Sequence, residues 1–272
     1  MILDTAPPAS ARPDGLLPGQ RYIPDLLETQ GRYRVRFART EADLEAVQRL
    51  RFGVFNLELG EGLAESFATG RDGDVYDTQC QHVMVEETKQ GEVVGTYRLQ
   101  VAECARSGAG FYSAGEFGIG ALPDDVLASS IELGRGCVHR GHRTKRALYL
   151  LWRGLAEYVV HNGKRGFFGC SSLTSQDPAE GLRFYEQLRA EGRVHPSLRV
   201  EPVPEVACRV PEGETIEGPV VPVPTLFGIY LRHGAWVLGP PAIDRQFGTI
   251  DYLTYLEVKD EHLRTFGRRG RE

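Results

Sequence analysis

The chain has 272 residues, of which 41% are hydrophobic and 25% are charged, and its formal net charge is -5 at pH 7. This composition is that of a soluble globular protein, which excludes the fibrous and largely disordered classes. No apolar run reaches the ~20 residues of a membrane-spanning helix, and no signal-peptide pattern opens the chain, so we expect a cytoplasmic protein.

The five cysteines are odd in number and widely spaced, and they form no C-x-x-C pair of the kind used for zinc or redox chemistry. We interpret them as reduced structural thiols, because a buried free cysteine behaves as a small hydrophobe. A nucleophilic Cys170 is the alternative. No cluster of metal ligands is visible, so we expect neither a metal nor a bound cofactor.

The first elements follow from residue periodicity. Residues 1–28 mix Pro, Ala, Gly and Asp without a period, which predicts a flexible N-terminal arm. Apolar residues at 33, 35 and 37 alternate with arginines, which predicts a half-buried strand. Thr40 opens the capping-box-like sequence T-E-A-D, and the helical spacing that follows predicts a first helix.

The next segment alternates loops with a hairpin. Residues 60–77 are rich in Gly and acids, which predicts a loop with a short helical turn near residues 63–67. Residues 82–86 and 93–101 are extended runs joined by K-Q-G-E, which predicts a hairpin with a glycine-containing turn. Residues 103–127 are predicted to form a loop-rich connection.

Residues 131–173 are the most informative stretch. They predict a strand that carries Glu132, a basic loop, an amphipathic helix ended by Asn162 and Gly163, and a buried strand over residues 166–173. Between positions 135 and 165 there are eight Lys or Arg residues and one acid, in a chain of net negative charge. Loop amides, a helix N-terminus and these cations together predict an anion-binding site.

The rest of the chain completes one domain over residues 29–260. Asp177 is a predicted N-cap, with proline at the first helical position, for a helix that ends before Gly192. Recurrent prolines over residues 195–224 predict an extended excursion. Residues 226–238 and 249–258 are strand-like or mixed, and residues 261–272 form a basic tail.

This element order is that of the GNAT acyltransferase fold, an α+β fold with a mostly antiparallel central sheet flanked by helices. Several motifs resemble the bacterial ornithine lipid N-acyltransferases: L-R-F-G-V-F, D-V-Y-D-T-Q-C-Q-H-V-M-V, G-T-Y-R-L, I-E-L-G-R-G-C-V-H, L-L-W-R-G-L-A, P-T-L-F-G-I-Y-L-R-H-G-A-W-V-L-G and D-Y-L-T-Y-L. The chain is also distantly similar to acyl-homoserine-lactone synthases, at these positions: Arg51, Phe55, Asp74, Asp77, Arg98, Glu132 and Arg135. The tryptophan that those synthases carry after the first helix is not evident.

The resemblance implies an enzyme that moves a 3-hydroxyacyl chain from acyl carrier protein to the α-amine of L-ornithine, giving lyso-ornithine lipid. Acyl carrier protein, through its phosphopantetheine thioester, would be the partner and co-substrate. Other acceptors, namely glycine, glutamine or lysine, remain alternatives. So do an acyl-homoserine-lactone synthase and a non-catalytic module that binds acyl carrier protein or lipid.

The basic loop departs from the GNAT pattern R/Q-x-x-G-x-G/A, because R-G-H-R-T-K-R-A has no glycine after His142. Side-chain cations in place of glycines favour a phosphopantetheine presented by an acidic protein over a tight coenzyme A diphosphate site. The expected donor-binding residues are Val138, His139, Arg140, Arg143, Lys145 and Arg146.

N-acylation needs a proton acceptor for the amine and a donor for the leaving thiolate. Glu132 is the expected acceptor, with a structural ion pair to Arg135 as the alternative. Tyr185 is the candidate general acid, with a packing role as the alternative. Asp74 and Asp77 are the expected partners of the acceptor's amines, unless they cap a turn.

Arg51 and Arg98 are expected to clamp the acceptor's carboxylate, since a guanidinium fork matches it, and Arg135 joins them through the resemblance. Arg98 paired to Asp77 or Glu132 in the core is the alternative. The candidates for the acyl-chain pocket are apolar: Phe52, Phe55, Phe111, Phe117, Leu151 and Trp152.

The arm and the basic tail are candidates for peripheral contact with an anionic inner membrane. Net acidity, and a basic loop without interleaved aromatic residues, exclude nucleic acid as the expected partner.

Overall fold

The computed structural model describes residues 15–211, 213 and 215–266. One mixed sheet of nine strands forms the centre of the molecule. Its strands, in chain order, are β1 (Leu27–Gln30), β2 (Tyr33–Phe37), β3 (Gln81–Glu87), β4 (Glu92–Val101), β5 (Ser130–Val138), β6 (Gly166–Leu173), β7 (Trp236–Val237), β8 (Ala242–Asp244) and β9 (Thr249–Glu257).

The strands lie in the order β1-β2-β3-β4-β5-β6-β9-β7, and β8 pairs with β9. Every pairing is antiparallel except that of β5 with β6, which the long helix between them makes parallel. The predicted α+β fold, with a mostly antiparallel sheet flanked by helices, is therefore confirmed.

The helices are α1 (Glu41–Phe52), α2 (Ser66–Thr69), α3 (Ala102–Ser107), α4 (Asp124–Ala128), α5 (Lys145–His161), α6 (Pro178–Ala190), α7 (Thr225–Arg232) and α8 (Asp260–Phe266). The predicted capping box is present at the start of α1, where Thr40 and Asp43 exchange side-chain to backbone hydrogen bonds. Beyond Phe52 the chain continues as a π-helix, Gly53–Leu59. Among the described residues, no helix is both long enough and apolar enough to cross a membrane.

Two predicted boundaries were wrong. Residues 15–28, expected to belong to a flexible arm, bury Leu17, Ile23 and Leu26 and include the first two residues of β1, which pairs with β2. The spacing of these three residues is neither that of a helix nor that of a strand, so they leave no periodic signal in the sequence. Residues 1–14 of the predicted arm lie outside the described residues.

The predicted basic tail begins inside a helix. α8 places the Phe266 ring 5.0 Å from the Trp152 ring, so it packs on α5. Residues 267–272 lie outside the described residues. The segment 226–238, which looked strand-like or mixed, begins as helix α7 because Leu226, Ile229 and Tyr230 turn toward α5 and the sheet.

β5 and β6 pair over a short stretch and then diverge, which leaves space between them. Only residues 130–132 of β5 pair with residues 166–168 of β6. A Cβ on Gly169 would lie 2.1 Å from the Leu133 carbonyl oxygen, so glycine permits the close approach at which the strands part. Beyond this point, no strand of the described residues lies beside residues 133–138 on the β6 side.

β5 is also bulged against β4. Thr96 pairs with Cys137 and Arg98 with Gly134, so two steps along β4 match three along β5. Arg135 lies in the bulge with a positive φ of 49°, which re-aims its side chain.

Helix α5 packs across strands β1 to β5. Leu150, Leu151 and Leu155 join a core with Val35 and Val83 of the strands. Gly154 lets the helix lie close, because a Cβ there would meet Val83 Cγ2 at 2.3 Å.

We expect Gly154→Ala to lower the free energy of unfolding by about 1–3 kcal/mol, because overpacking forces α5 away from β3. Urea denaturation measures this change. The control is Gly53→Ala, a second helical glycine with open space around its Cβ position, which should be neutral or slightly stabilising. Equal effects of the two substitutions would contradict the close packing of α5.

Candidate active site

A cavity of about 680 Å³ lies where β5 and β6 diverge. One wall is apolar and comes from α5, α7 and the strands, including Leu148, Leu151, Trp152, Leu155, Phe167, Ile229, Tyr230 and Leu256. The other end is polar and includes Glu61, Arg98, Tyr112, Glu132, Arg135, Ser171, Ser172, Thr174 and Asp251. The cavity thus joins an apolar slot to a cluster of ionisable groups.

Glu132 lies in this cavity and is 6% exposed. Its carboxylate accepts hydrogen bonds from the Tyr112 N–H (3.0 Å), the Ser113 N–H (2.8 Å) and the Ser113 hydroxyl (2.6 Å). Burial raises the pKa of Glu132, although the Ser113 bonds oppose the rise. The alternative ion pair with Arg135 was wrong, because the loop at Tyr112 reaches Glu132 and Arg135 turns to other acids.

Three arginines and three aspartates form a buried network beside the cavity. Arg51 donates to Asp72 (2.8 Å) and to both carboxylate oxygens of Asp77 (2.8 and 2.9 Å). Its guanidinium is fully buried and also donates to the Asp72 carbonyl. Arg51 is therefore occupied by these two aspartates and does not line the cavity.

The other two arginines of the network do line the cavity. Arg98 donates to Asp74 (2.6 Å) and Asp77 (3.0 Å). Arg135 lies 3.3 Å from Asp74 and stacks 4.3 Å from the Phe247 ring centroid. Arg98 thus makes the core pair with Asp77 that the sequence had left as an alternative.

Asp74 and Asp77 are neutralised within this network. Burial raises the pKa of Asp77, but the Arg51 and Arg98 charges outweigh it, and the pKa falls well below its ordinary value. The pKa of Asp74 is also lowered, since Arg98 and Arg135 outweigh burial there. The Nε of Arg135 makes no hydrogen bond of normal geometry to a described residue and lies 3.4 Å from an Asp72 carboxylate oxygen.

The basic loop lies at the mouth of the cavity. Val138, Arg143 and Lys145 line it, and Arg143 also pairs with Glu58 at 2.7 Å. His139, Arg140 and Arg146 are exposed but do not line the cavity. The structure therefore brings half of the predicted donor residues to the cavity and leaves the others on the surface around it.

Of the six residues predicted for the acyl-chain pocket, Phe55, Leu151 and Trp152 line the cavity. The other three do not. Phe111 lies behind the wall, with its ring 5.1 Å from that of Phe168, and Phe117 is buried in the same cluster. Phe52 packs on Phe67. A single apolar residue in the sequence cannot reveal which side of a wall it occupies.

The predicted general acid, Tyr185, lies away from the cavity. It packs against the core that α6 forms with β9, around Leu173 and Phe184, and does not line the cavity. Tyr97 and Tyr230 do line it, with their hydroxyl oxygens 2.7 Å apart. Burial raises the pKa of both phenols, which therefore stay protonated. The two are 133 positions apart, and no local signal joins them.

A second acidic group could not be predicted from the sequence. The carboxyl oxygens of Glu116 and Asp251 and the Sγ of Cys170 lie within 4.8 Å of one another, an arrangement that could hold a metal ion. Burial and these two acids raise the pKa of Cys170 well above its ordinary value. Cys170 is thus a poor nucleophile, and the alternative of a nucleophilic thiol is not supported.

Comparison with known proteins identifies the family of this chain. A profile described as an acetyltransferase (GNAT) domain matches residues 50–153. The L-ornithine N(alpha)-acyltransferase of Rhizobium meliloti (strain 1021) is 34% identical over 245 residues, which cover 86% of this chain and 83% of the relative. The protein of that name from Agrobacterium fabrum is 34% identical over 239 residues, or 84% and 82% of the two chains.

Among solved structures, a CoA-dependent acyl-homoserine lactone synthase, MesI, is similar with a TM-score of 0.48 and 14% identity, over 85% of this chain and 90% of that chain. The sequence relatives are much closer. Since they share 34% of their residues with this chain over more than four fifths of each protein, the chain belongs to the L-ornithine N(alpha)-acyltransferase family of acyltransferase enzymes.

Proposed function

We propose that this enzyme transfers a 3-hydroxyacyl chain from acyl carrier protein to the α-amine of L-ornithine. The observation that carries the proposal is that an apolar slot, a cationic mouth and the polar groups Glu132 and Arg135 meet in one cavity. The names of the relatives support ornithine as the acceptor. The product would be lyso-ornithine lipid.

The donor would enter between the diverging strands. The unpaired edge of residues 133–138 offers backbone groups to an extended phosphopantetheine arm, and its N–H groups are the candidate donors to the developing oxyanion. The exposed side chains of Arg140, Arg143, Lys145 and Arg146 surround this entrance and suit an acidic carrier protein. No bound cofactor takes part, since the acyl carrier protein thioester is itself a substrate.

The acceptor would lie at the polar end. Arg98 and Arg135, which both line the cavity, would hold the carboxylate of ornithine. The neutral α-amine attacks the thioester carbonyl, the C–N bond forms, and Glu132 takes the amine proton directly or through water. As the C–S bond breaks, a Tyr97 or Tyr230 hydroxyl is available to protonate the thiolate.

Peripheral contact with an inner membrane is part of the proposal, because the product is a lipid. The basic tail and the N-terminal arm remain the candidate contacts, and residues 1–14 and 267–272 lie outside the described residues. Binding to vesicles with and without anionic lipid tests this contact.

The acceptor is tested by incubating the protein with 3-hydroxyacyl carrier protein and ornithine, glycine, glutamine or lysine. Mass spectrometry then detects N-acyl products. We expect N-acylornithine as the main product. If no amino acid gives an N-acyl product, the proposed activity is overturned. A preference for glycine, glutamine or lysine would replace ornithine as the proposed acceptor.

Glu132→Gln is expected to lower kcat by about 10²-fold or more with little change in KM for the acyl carrier protein, because the amide cannot accept the amine proton. Ser113→Ala is the matched control, since it weakens the loop anchor and keeps the carboxylate. Equal losses in the two variants would assign Glu132 a purely structural role.

The same residue predicts a pH dependence. The pKa of Glu132 is raised, so the rate of the wild-type enzyme should fall as pH decreases through that pKa, where the carboxyl binds its proton. Glu132→Gln should lack this acidic limb in a profile of kcat against pH. An unchanged limb in the variant would assign it to another group.

Replacing Arg143, Lys145 and Arg146 together by alanine is expected to raise KM for the acyl carrier protein about 10-fold at low salt. The difference should shrink as salt screens the wild-type attraction. The control replaces three exposed arginines outside the loop, Arg106, Arg189 and Arg209. A defect that is independent of salt, or an equal one in the control, would contradict this docking surface.

A further inference from the structure

One end of the cavity holds an acidic pocket, formed by Glu61, Glu116, Cys170 and Asp251. Glu61 and Asp251 line the cavity, and Glu116 lies behind them, with its carboxylate accepting from the Cys170 thiol at 3.7 Å. The three acids are 8%, 7% and 3% exposed, in the order Glu61, Glu116, Asp251. In the described ranges, no Lys, Arg or His side chain forms an ion pair with any of the three.

This pocket differs from the nearby arginine network. There, Asp72, Asp74 and Asp77 face three guanidiniums, so their charges cancel. In the acidic pocket, no guanidinium of a described residue compensates the charge of the carboxylates. A buried carboxylate without a cation is unstable, so such a group either keeps its proton or binds a cation from outside.

Of the three acids, Asp251 has the clearest unsatisfied hydrogen-bond acceptor. Its Oδ1 is buried and makes no hydrogen bond of normal geometry among the described residues, although Ser172, Glu116 and Thr249 lie close enough to interact with the carboxylate. The side chain lines the cavity. Glu61 accepts a hydrogen bond from the Thr174 hydroxyl. Burial, followed by the neighbouring acids, raises the pKa of Glu116, and burial likewise raises that of Asp251. A cation placed here would reverse these shifts.

The strand register places this pocket relative to the reacting groups. Glu132 lies opposite Phe168 on β6, and Asp251 lies opposite Ser172 on the same strand. Cys170 is midway between these positions, and both acids contribute to its raised pKa. An amino acid whose α-amine meets Glu132 can therefore extend its side chain along β6 toward Asp251.

We propose that Asp251, with Glu61, binds the side-chain ammonium of the acceptor and so selects a diamino acid over one with an apolar side chain. The inference rests on the proposed function, since it names the residues that bind the side-chain end of the same acceptor. The three methylenes of ornithine would pass beside the neutral Cys170 thiol. Glu116 is a positioning residue that holds Asp251 and shares its charge.

The test compares L-ornithine with L-norvaline, which has the same carbon chain and no terminal amine. Both are offered to the full-length protein with acyl carrier protein as donor. The readout is the ratio of kcat/KM for ornithine to that for norvaline. Asp251→Asn is expected to lower this ratio about 30-fold, because a charge-assisted hydrogen bond to the ammonium is lost. Glu61→Gln should lower it by less.

Asp125→Asn, an exposed acid on α4, is the control and should leave the ratio unchanged. If the wild-type enzyme acylates neither acceptor, the proposed function itself is overturned. If it acylates both acceptors equally, or if Asp251→Asn lowers both values in parallel, only the ammonium site is overturned.

A metal ion is the competing occupant, since Glu116, Cys170 and Asp251 could ligate one. Calorimetric titration of the purified, chelator-treated protein with Zn²⁺ and with Mn²⁺ separates the two occupants. Stoichiometric metal binding that Asp251→Asn abolishes would overturn the ammonium site. A wild-type protein that binds neither metal would support the ammonium site.

Discussion

The divergence of β5 from β6 is the constraint on which the rest of the structure depends. The strands touch at Gly169 and Leu133, where no side chain fits between them, and then part. Two strands that stayed paired would fill this space with backbone hydrogen bonds. Because they part, the sheet gains an unpaired edge inside the molecule, and helices α5 and α7 close the space as a cavity with an apolar wall.

Charge compensation gives the polar groups around the cavity different roles. The three guanidiniums of the buried network balance its three carboxylates. Arg51 holds Asp72 and Asp77, and these acids with Asp74 fix the positions of Arg98 and Arg135. Among the described residues, no Lys, Arg or His forms an ion pair with the acids across the cavity, Glu61, Glu116 and Asp251. A buried charge with a partner supports the site, and one without a partner is a candidate to bind substrate.

Local sequence patterns predicted much of the fold. The T-E-A-D capping box, the periodic apolar face of α5 and the N-cap at Asp177 depend on neighbours within a few positions, and all three appear in the structure. The elements that the sequence missed were stabilised by distant contacts. β1 needs β2 to complete it, and α8 needs Trp152 of α5.

The sequence by itself determined the fold class, the strand that carries Glu132, the basic loop and the family resemblance, because motifs and periodicity are properties of adjacent residues. Only the tertiary structure decided which charges are satisfied. Asp74 and Asp77 looked like the acceptor's acids but face arginines. Glu61, Glu116 and Asp251, far apart in the chain, converge with no ion-pair partner in the part of the chain that the structure describes. Convergence depends on how strands and loops meet in space, and spacing along the chain does not encode it.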